Sequence, residues 1–68
     1  MIVLHIINNN IISNNLQYGI FLDSNCENTD IINNTISGNG LGIYILYYND
    51  EVYIENNTIS NNSASGIQ

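Results

Sequence analysis

Two sequence blocks that recur every 23 or 24 residues, short alternating apolar runs and an excess of Ile and Asn predict an all-β chain, a right-handed parallel β-helix solenoid. In such a solenoid each repeat forms one coil, or rung, and equivalent strands of successive rungs pair in parallel. The 68 residues allow about three rungs in a single domain. We place them approximately at residues 1–19, 20–42 and 43–66, followed by a partial strand.

The first repeated block is an Asn-Asn-x-Ile-Ser run that starts at Asn9, Asn33 and Asn56. The second is a Gly-Ile pair that starts at Gly19, Gly42 and Gly66. Between the blocks the apolar residues alternate over only a few positions, which is the period of a strand with one buried face. Asn and Gly tolerate the left-handed backbone conformation that tight corners require. The blocks therefore predict short strands joined by corners.

Stacking of the repeats predicts three interior columns of isoleucine and one ladder of asparagine. The columns consist of Ile7, Ile31 and Ile54, of Ile12, Ile36 and Ile59, and of Ile20, Ile43 and Ile67. The ladder consists of Asn10, Asn34 and Asn57. Neighbouring strands lie about 4.8 Å apart, so each asparagine amide can bond to the copies above and below it.

The charge of the chain disfavours several classes of partner. There are six acidic residues and no Lys or Arg, which gives a net charge of −6. Binding to nucleic acid or to an anionic membrane surface needs basic side chains, so we expect neither. The apolar segment 1–7 is too short to span a bilayer, and we expect no membrane insertion. Cys26 is the only cysteine, which we interpret as a buried structural thiol.

The repeat resembles a known family. The pattern Ile-x-Asn-Asn-x-Ile-Ser-x-Asn followed by Gly-Ile-x-Leu is similar to the parallel β-helix repeats of NosD-like periplasmic proteins and related surface proteins of the pectin-lyase-like superfamily. The resemblance implies a carbohydrate-facing or envelope role and an extracellular, cell-surface or periplasmic location. Enzymes of this superfamily act through Asp, Arg, Lys or His, often with calcium. Because Lys and Arg are missing here, no catalytic residue can be carried over.

A calcium site is one hypothesis for the acidic residues. The repeat register places Glu27 over Asp50 and Asn28 over Glu51. Like charges on adjacent strands repel each other, and calcium prefers oxygen ligands. Glu27, Asp50 and Glu51 are therefore candidate ligands, and we expect no cofactor other than calcium. The alternative is a solvated acidic loop.

Aromatic side chains form the second candidate site. Phe21 and Tyr44 occupy equivalent outward positions, and three tyrosines follow at Tyr47, Tyr48 and Tyr53. Exposed rings on a flat strand face can stack on sugars, so we predict Phe21, Tyr44, Tyr47 and Tyr48 as carbohydrate-stacking residues. The alternatives are a cross-strand pair that stabilises the sheet and a contact with neighbouring sequence.

Two functions remain open. One is a non-enzymatic repeat module of an envelope or secreted protein that binds carbohydrate or acts as a scaffold. The other is a structural part of a polysaccharide lyase or glycoside hydrolase whose active site lies on other rungs. An open parallel edge offers unpaired backbone groups, so we expect either a fragment of a longer repeat protein or a unit that stacks end to end. The expected partners are polysaccharide, other rungs of the same protein, or a second copy.

Overall fold

Eight short strands follow one another along the chain in the computed structural model, which describes residues 4–47 and 49–68. In chain order they are β1 (His5–Asn8), β2 (Ile11–Ser13), β3 (Tyr18–Leu22), β4 (Thr29–Ile32), β5 (Thr35–Ser37), β6 (Leu41–Ile45), β7 (Val52–Glu55) and β8 (Thr58–Ser60). Each strand has only three to five residues because an Asn-rich or Gly-rich corner interrupts the β-preferring run.

The strands form three parallel sheets. Their orders are β1–β4–β7, β2–β5–β8 and β3–β6, and a single parallel bridge from Ile43 to Ile67 extends the third sheet. Every strand therefore pairs with its counterpart one repeat along the chain. The all-β fold and the parallel β-helix of about three rungs are confirmed.

The predicted isoleucine columns form the core. Ile31, Ile36 and Ile43, which are the central members of the three columns, are each 0% exposed. Their partners above and below are in the predicted register, and most of them are partly buried. The stiff β-branched side chain suits this arrangement because it packs on a pleated surface with little loss of rotamer freedom. The end rungs cover only one side of their isoleucines, and Ile67 is 50% exposed.

The asparagines of the predicted ladder are hydrogen-bonded from rung to rung. The Asn34 Oδ1 accepts hydrogen bonds from the Asn10 backbone N at 2.9 Å and the Asn10 Nδ2 at 3.1 Å. The Asn57 Oδ1 accepts the same pair of bonds from Asn34, at 2.9 and 3.0 Å. In addition, the Asn34 Nδ2 donates to the Ile7 carbonyl at 3.0 Å. The ladder thus satisfies backbone groups at the corner as well as its own amides.

A second ladder, which we did not predict, lies at the next corner and consists of Asn15, Asn39 and Asn62. The Asn39 Oδ1 accepts from the Asn15 backbone N and Nδ2, at 3.1 and 2.8 Å. The Asn39 backbone N donates to the Asn62 Oδ1 at 2.9 Å. Both ladders follow a residue with positive φ: these are Asn9, Asn33 and Asn56 at one corner, and Asn14, Gly38 and Asn61 at the other. The left-handed residue turns the chain so that the following amide points inward.

The third corner lies between β3 and β4, and again between β6 and β7 one rung further on. It contains the same arrangement, except that a cysteine occupies one of the asparagine positions. Asn49 Oδ1 accepts a hydrogen bond from the backbone N of Cys26, and its Nδ2 donates to the carbonyls of Asp23 and Leu46. Asn25, which precedes Cys26, has a φ of 67°. Cys26 therefore occupies a ladder position. It is half-buried, whereas we expected a buried thiol.

We expect Cys26→Asn to stabilise the chain. The new Nδ2 can donate to the Asn49 Oδ1 as the Asn34 Nδ2 does to Asn57, adding about 1 kcal/mol. For a domain of this size such a gain raises Tm by about 4–8 °C, measurable by circular dichroism. Cys26→Ser is the matched control, because serine is polar but has no carboxamide group to donate to Asn49. Equal Tm values for the two variants would contradict the assignment of Cys26 to a ladder.

Candidate functional site

A groove lies on the outer face of the β1–β4–β7 sheet. Ile6, Asp30 and Tyr53 are paired across these strands, next to residues of an interior isoleucine column, so strand alternation directs them outward. The groove has a volume of about 530 Å³. Its lining residues are Leu4, Asn28, Asp30, Glu51, Val52 and Tyr53, which come from all three rungs. It therefore follows the helix axis over about 10 Å, two interstrand steps.

Two carboxylates in the groove lack neutralising partners. Within the part of the chain that the structure describes, neither Asp30 nor Glu51 has a side-chain hydrogen bond or an ion pair. The sequence supplies no Lys or Arg that could form one. Both groups thus retain their acceptor capacity for a ligand.

Tyr53 presents a free aromatic surface beside these acids. Its side chain is 56% exposed, and it makes no ring contact with any other described residue. Tyr53 is the direct register partner of Asp30 on the neighbouring strand. The groove thus combines an exposed aromatic ring, two carboxylates and the apolar side chains of Leu4 and Val52.

A cluster of three aromatic rings covers part of the third sheet. Phe21 and Tyr44 are register partners, as predicted, with ring centroids 5.5 Å apart and planes inclined by 10°. Tyr18 stacks on both, at 4.9 and 5.1 Å. We did not predict Tyr18, because strict alternation places residues three apart on opposite faces of a strand.

The stacking limits what this cluster can offer to a ligand. Rings that lie against one another cover part of each other's faces, which are the surfaces that a sugar ring would contact. The contact between Phe21 and Tyr44 is the cross-strand aromatic pair that we considered as the alternative. A sugar-stacking role for these two residues stays a prediction. Tyr47 is 69% exposed, and Tyr48 lies outside the described residues.

The acidic residues predicted to bind calcium lie on two successive rungs, Glu27 on one and both Asp50 and Glu51 on the next. Asn28 and Glu51 do occupy equivalent positions one rung apart, with φ values of 57° and 58°. Among residues 4–47 and 49–68, however, no three His, Cys, Asp or Glu side chains form a group that could hold a metal ion. Glu27, Asp50 and Glu51 are therefore not brought together as such a group, and calcium binding stays a prediction.

The geometry defines the class of protein. Parallel sheets that stack rung upon rung, with asparagine ladders at the corners, are typical of β-helix repeat proteins. The family model described as right handed beta helix region matches residues 4–68, and the chain belongs to this family. No curated protein and no solved structure matches the chain. In the described residues, no helix is long and apolar enough to cross a membrane.

Proposed function

We propose that the chain is a non-enzymatic β-helix repeat module of an envelope or secreted protein, and that it binds carbohydrate in the groove of the β1–β4–β7 sheet. The observation that carries the proposal is the exposed, unstacked ring of Tyr53 beside the unpaired carboxylates of Asp30 and Glu51. An aromatic face packs against the apolar face of a sugar, and carboxylates accept hydrogen bonds from its hydroxyls.

The groove is a better candidate for the sugar-binding site than the aromatic cluster is, for two reasons. The ring of Tyr53 is free, whereas the rings of Tyr18, Phe21 and Tyr44 cover one another. The groove is also concave and contains polar acceptors, as small-ligand sites usually do. Its length along the helix axis fits a short run of an extended polysaccharide. A location outside the cytoplasm, as the family resemblance implies, would give the module access to such polymers.

Tyr53→Ala is expected to weaken retention on immobilised polysaccharides by about tenfold, equivalent to ~1.4 kcal/mol of binding free energy. The reason is the loss of the stacking surface, and affinity electrophoresis against a panel of neutral and charged polysaccharides measures it. Tyr53 is exposed, so its removal leaves the core columns intact.

Phe21→Ala is the matched control, because it removes an aromatic ring from the outer face of a different sheet. We expect this variant to keep its carbohydrate retention and to lose some thermal stability. If Phe21→Ala abolishes retention and Tyr53→Ala does not, the groove is not the binding site. If the unmodified chain is retained by no polysaccharide in the panel, carbohydrate binding itself is refuted.

A further inference from the structure

We infer that the groove of the β1–β4–β7 sheet selects polysaccharides that carry free amines, such as glucosamine polymers, over neutral and uronate polymers. This inference rests on the proposed function, since it names the class of sugar that the same groove would bind.

The net charge of the chain favours a cationic polymer over an anionic one. With six acidic residues and no Lys or Arg, the surface repels an anionic polymer and attracts a cationic one. A uronate polymer would bring further carboxylates to a surface that has none of the basic groups needed to pair with them. An amine-bearing polymer brings the missing cation.

The carboxylates in the groove favour an amine over a hydroxyl group. A ligand that fills it takes water away from Asp30 and Glu51, and removing water from an unpaired charge is costly. A neutral sugar recovers part of that cost through its hydroxyls. A protonated amine recovers more, because it adds Coulomb attraction and charge-assisted hydrogen bonds to the same carboxylates.

The position of Tyr53 next to Asp30 favours an amino sugar over other amines. Its ring and the Asp30 carboxylate project from register partners on adjacent strands, about 4.8 Å apart at the backbone. A sugar stacked on the ring therefore holds its substituents within reach of a carboxylate. A protonated amine over the ring edge or face is also attracted by the aromatic quadrupole. The ring favours a flat sugar with an apolar face over a flexible lysine chain.

Glu51 provides a variant that separates binding from folding. Its φ is 58°, a region that Glu adopts with strain, whereas its counterpart in the preceding rung is Asn28, a residue type that tolerates it. Glu51→Asn therefore removes a groove carboxylate and relieves backbone strain at once. We expect a higher Tm together with weaker binding of the amine-bearing ligand.

Titration calorimetry on the 68-residue chain with two matched oligomers tests the inference. One ligand is a glucosamine oligomer, and the other is the fully N-acetylated oligomer of the same length, which lacks the charge. The experiment is run at about pH 5.5, where free carboxyl groups and free amines are both charged. We expect the glucosamine oligomer to bind about tenfold more tightly, with an affinity that falls as salt is added. Asp30→Asn and Glu51→Asn should each reduce this difference several-fold.

The outcomes separate this inference from the proposed function. Equal binding of both oligomers, with a loss in Tyr53→Ala, would support carbohydrate binding and overturn the selection for amines. Binding of neither oligomer, nor of any other polysaccharide, would overturn both. A lysine oligomer of equal charge serves as the last comparison. If it binds as tightly as the glucosamine oligomer, the inference is overturned, because the groove then recognises charge or peptide rather than an amino sugar.

Discussion

Asn34→Asp is expected to leave the chain largely unfolded. Asn34 is 1% exposed, and its Nδ2 donates to the carbonyl of Ile7 and to the Oδ1 of Asn57. Asp has nearly the same shape but, when ionised, donates nothing, so both acceptors would face a buried carboxylate. Each unsatisfied buried group costs about 1–3 kcal/mol. The whole free energy of unfolding of a chain this short is only about 3–10 kcal/mol.

Urea unfolding followed by circular dichroism measures this effect. The matched control is Asn33→Asp, which introduces the same charge at the preceding, exposed position, where Asp also tolerates the positive φ of 59°. We expect Asn33→Asp to change the free energy of unfolding by less than about 0.5 kcal/mol. Similar unfolding curves for the two variants would show that the ladder does not stabilise the corner.

Gly42→Ala should have the second largest effect. A Cβ at this position would overlap the backbone carbonyl oxygen of Gly66 and approach the Asn62 Nδ2 to 3.0 Å. Neither group can easily move away, because the Gly66 oxygen accepts the Ile43 N–H and the Asn62 side chain belongs to the second ladder. We expect a loss of about 3 kcal/mol, as for other insertions into a well-packed interior.

Gly66→Ala is the control for this variant. Gly66 holds the same place in the last rung, but a Cβ there meets only the Ile59 Cγ2, at 3.2 Å. The midpoint of thermal unfolding should therefore fall much further for Gly42→Ala than for Gly66→Ala. A comparable fall in both would mean that the third column is not packed as closely as the structure indicates.

Sequence periodicity was sufficient to predict the fold because the interior repeats itself. Each interior isoleucine stacks on an isoleucine at the equivalent position of the next repeat. The repeat spacing around Ile31, Ile36 and Ile43 therefore identifies three columns without any knowledge of the corners. Asn34 has an asparagine at the equivalent position of both neighbouring repeats, which likewise indicates a ladder. Cys26, however, interrupts the pattern at the third corner. Because Cys26 and Asn49 are different residue types, the search for repeated residues did not show that they occupy equivalent positions.

The second ladder was missed for a related reason. Its members carry the same spacing signal, but the corner that contains them varies in length. Five positions separate Ser13 from Tyr18, and four separate their partners, Ser37 and Leu41. The step between rungs thus changes from 24 to 23 within this corner. The repeated pattern does place Asn15, Asn39 and Asn62 at equivalent positions, but periodicity alone does not show whether a corner side chain points into the helix.

The candidate site was less accessible to sequence reasoning than the core. Register does place Tyr53 beside Asp30, since the two residues are 23 apart. The concavity depends on how Leu4, Asn28 and Glu51 leave the sheet at an irregular corner, which periodicity does not describe. The stack formed by Tyr18 was equally hidden, because it departs from strict alternation along the strand.

Successive rungs lie on one another in parallel register, with isoleucines inside and asparagine amides hydrogen-bonded between rungs. Nuclear Overhauser contacts in an isotope-labelled sample test this arrangement most directly. We expect methyl contacts from Ile31 to both Ile7 and Ile54, together with slow exchange of the Asn34 side-chain amide. Backbone contacts of an antiparallel pair between β4 and β5, which no strand pairing in the described part of the chain gives, or rapid exchange of the Asn34 side-chain amide would contradict this arrangement.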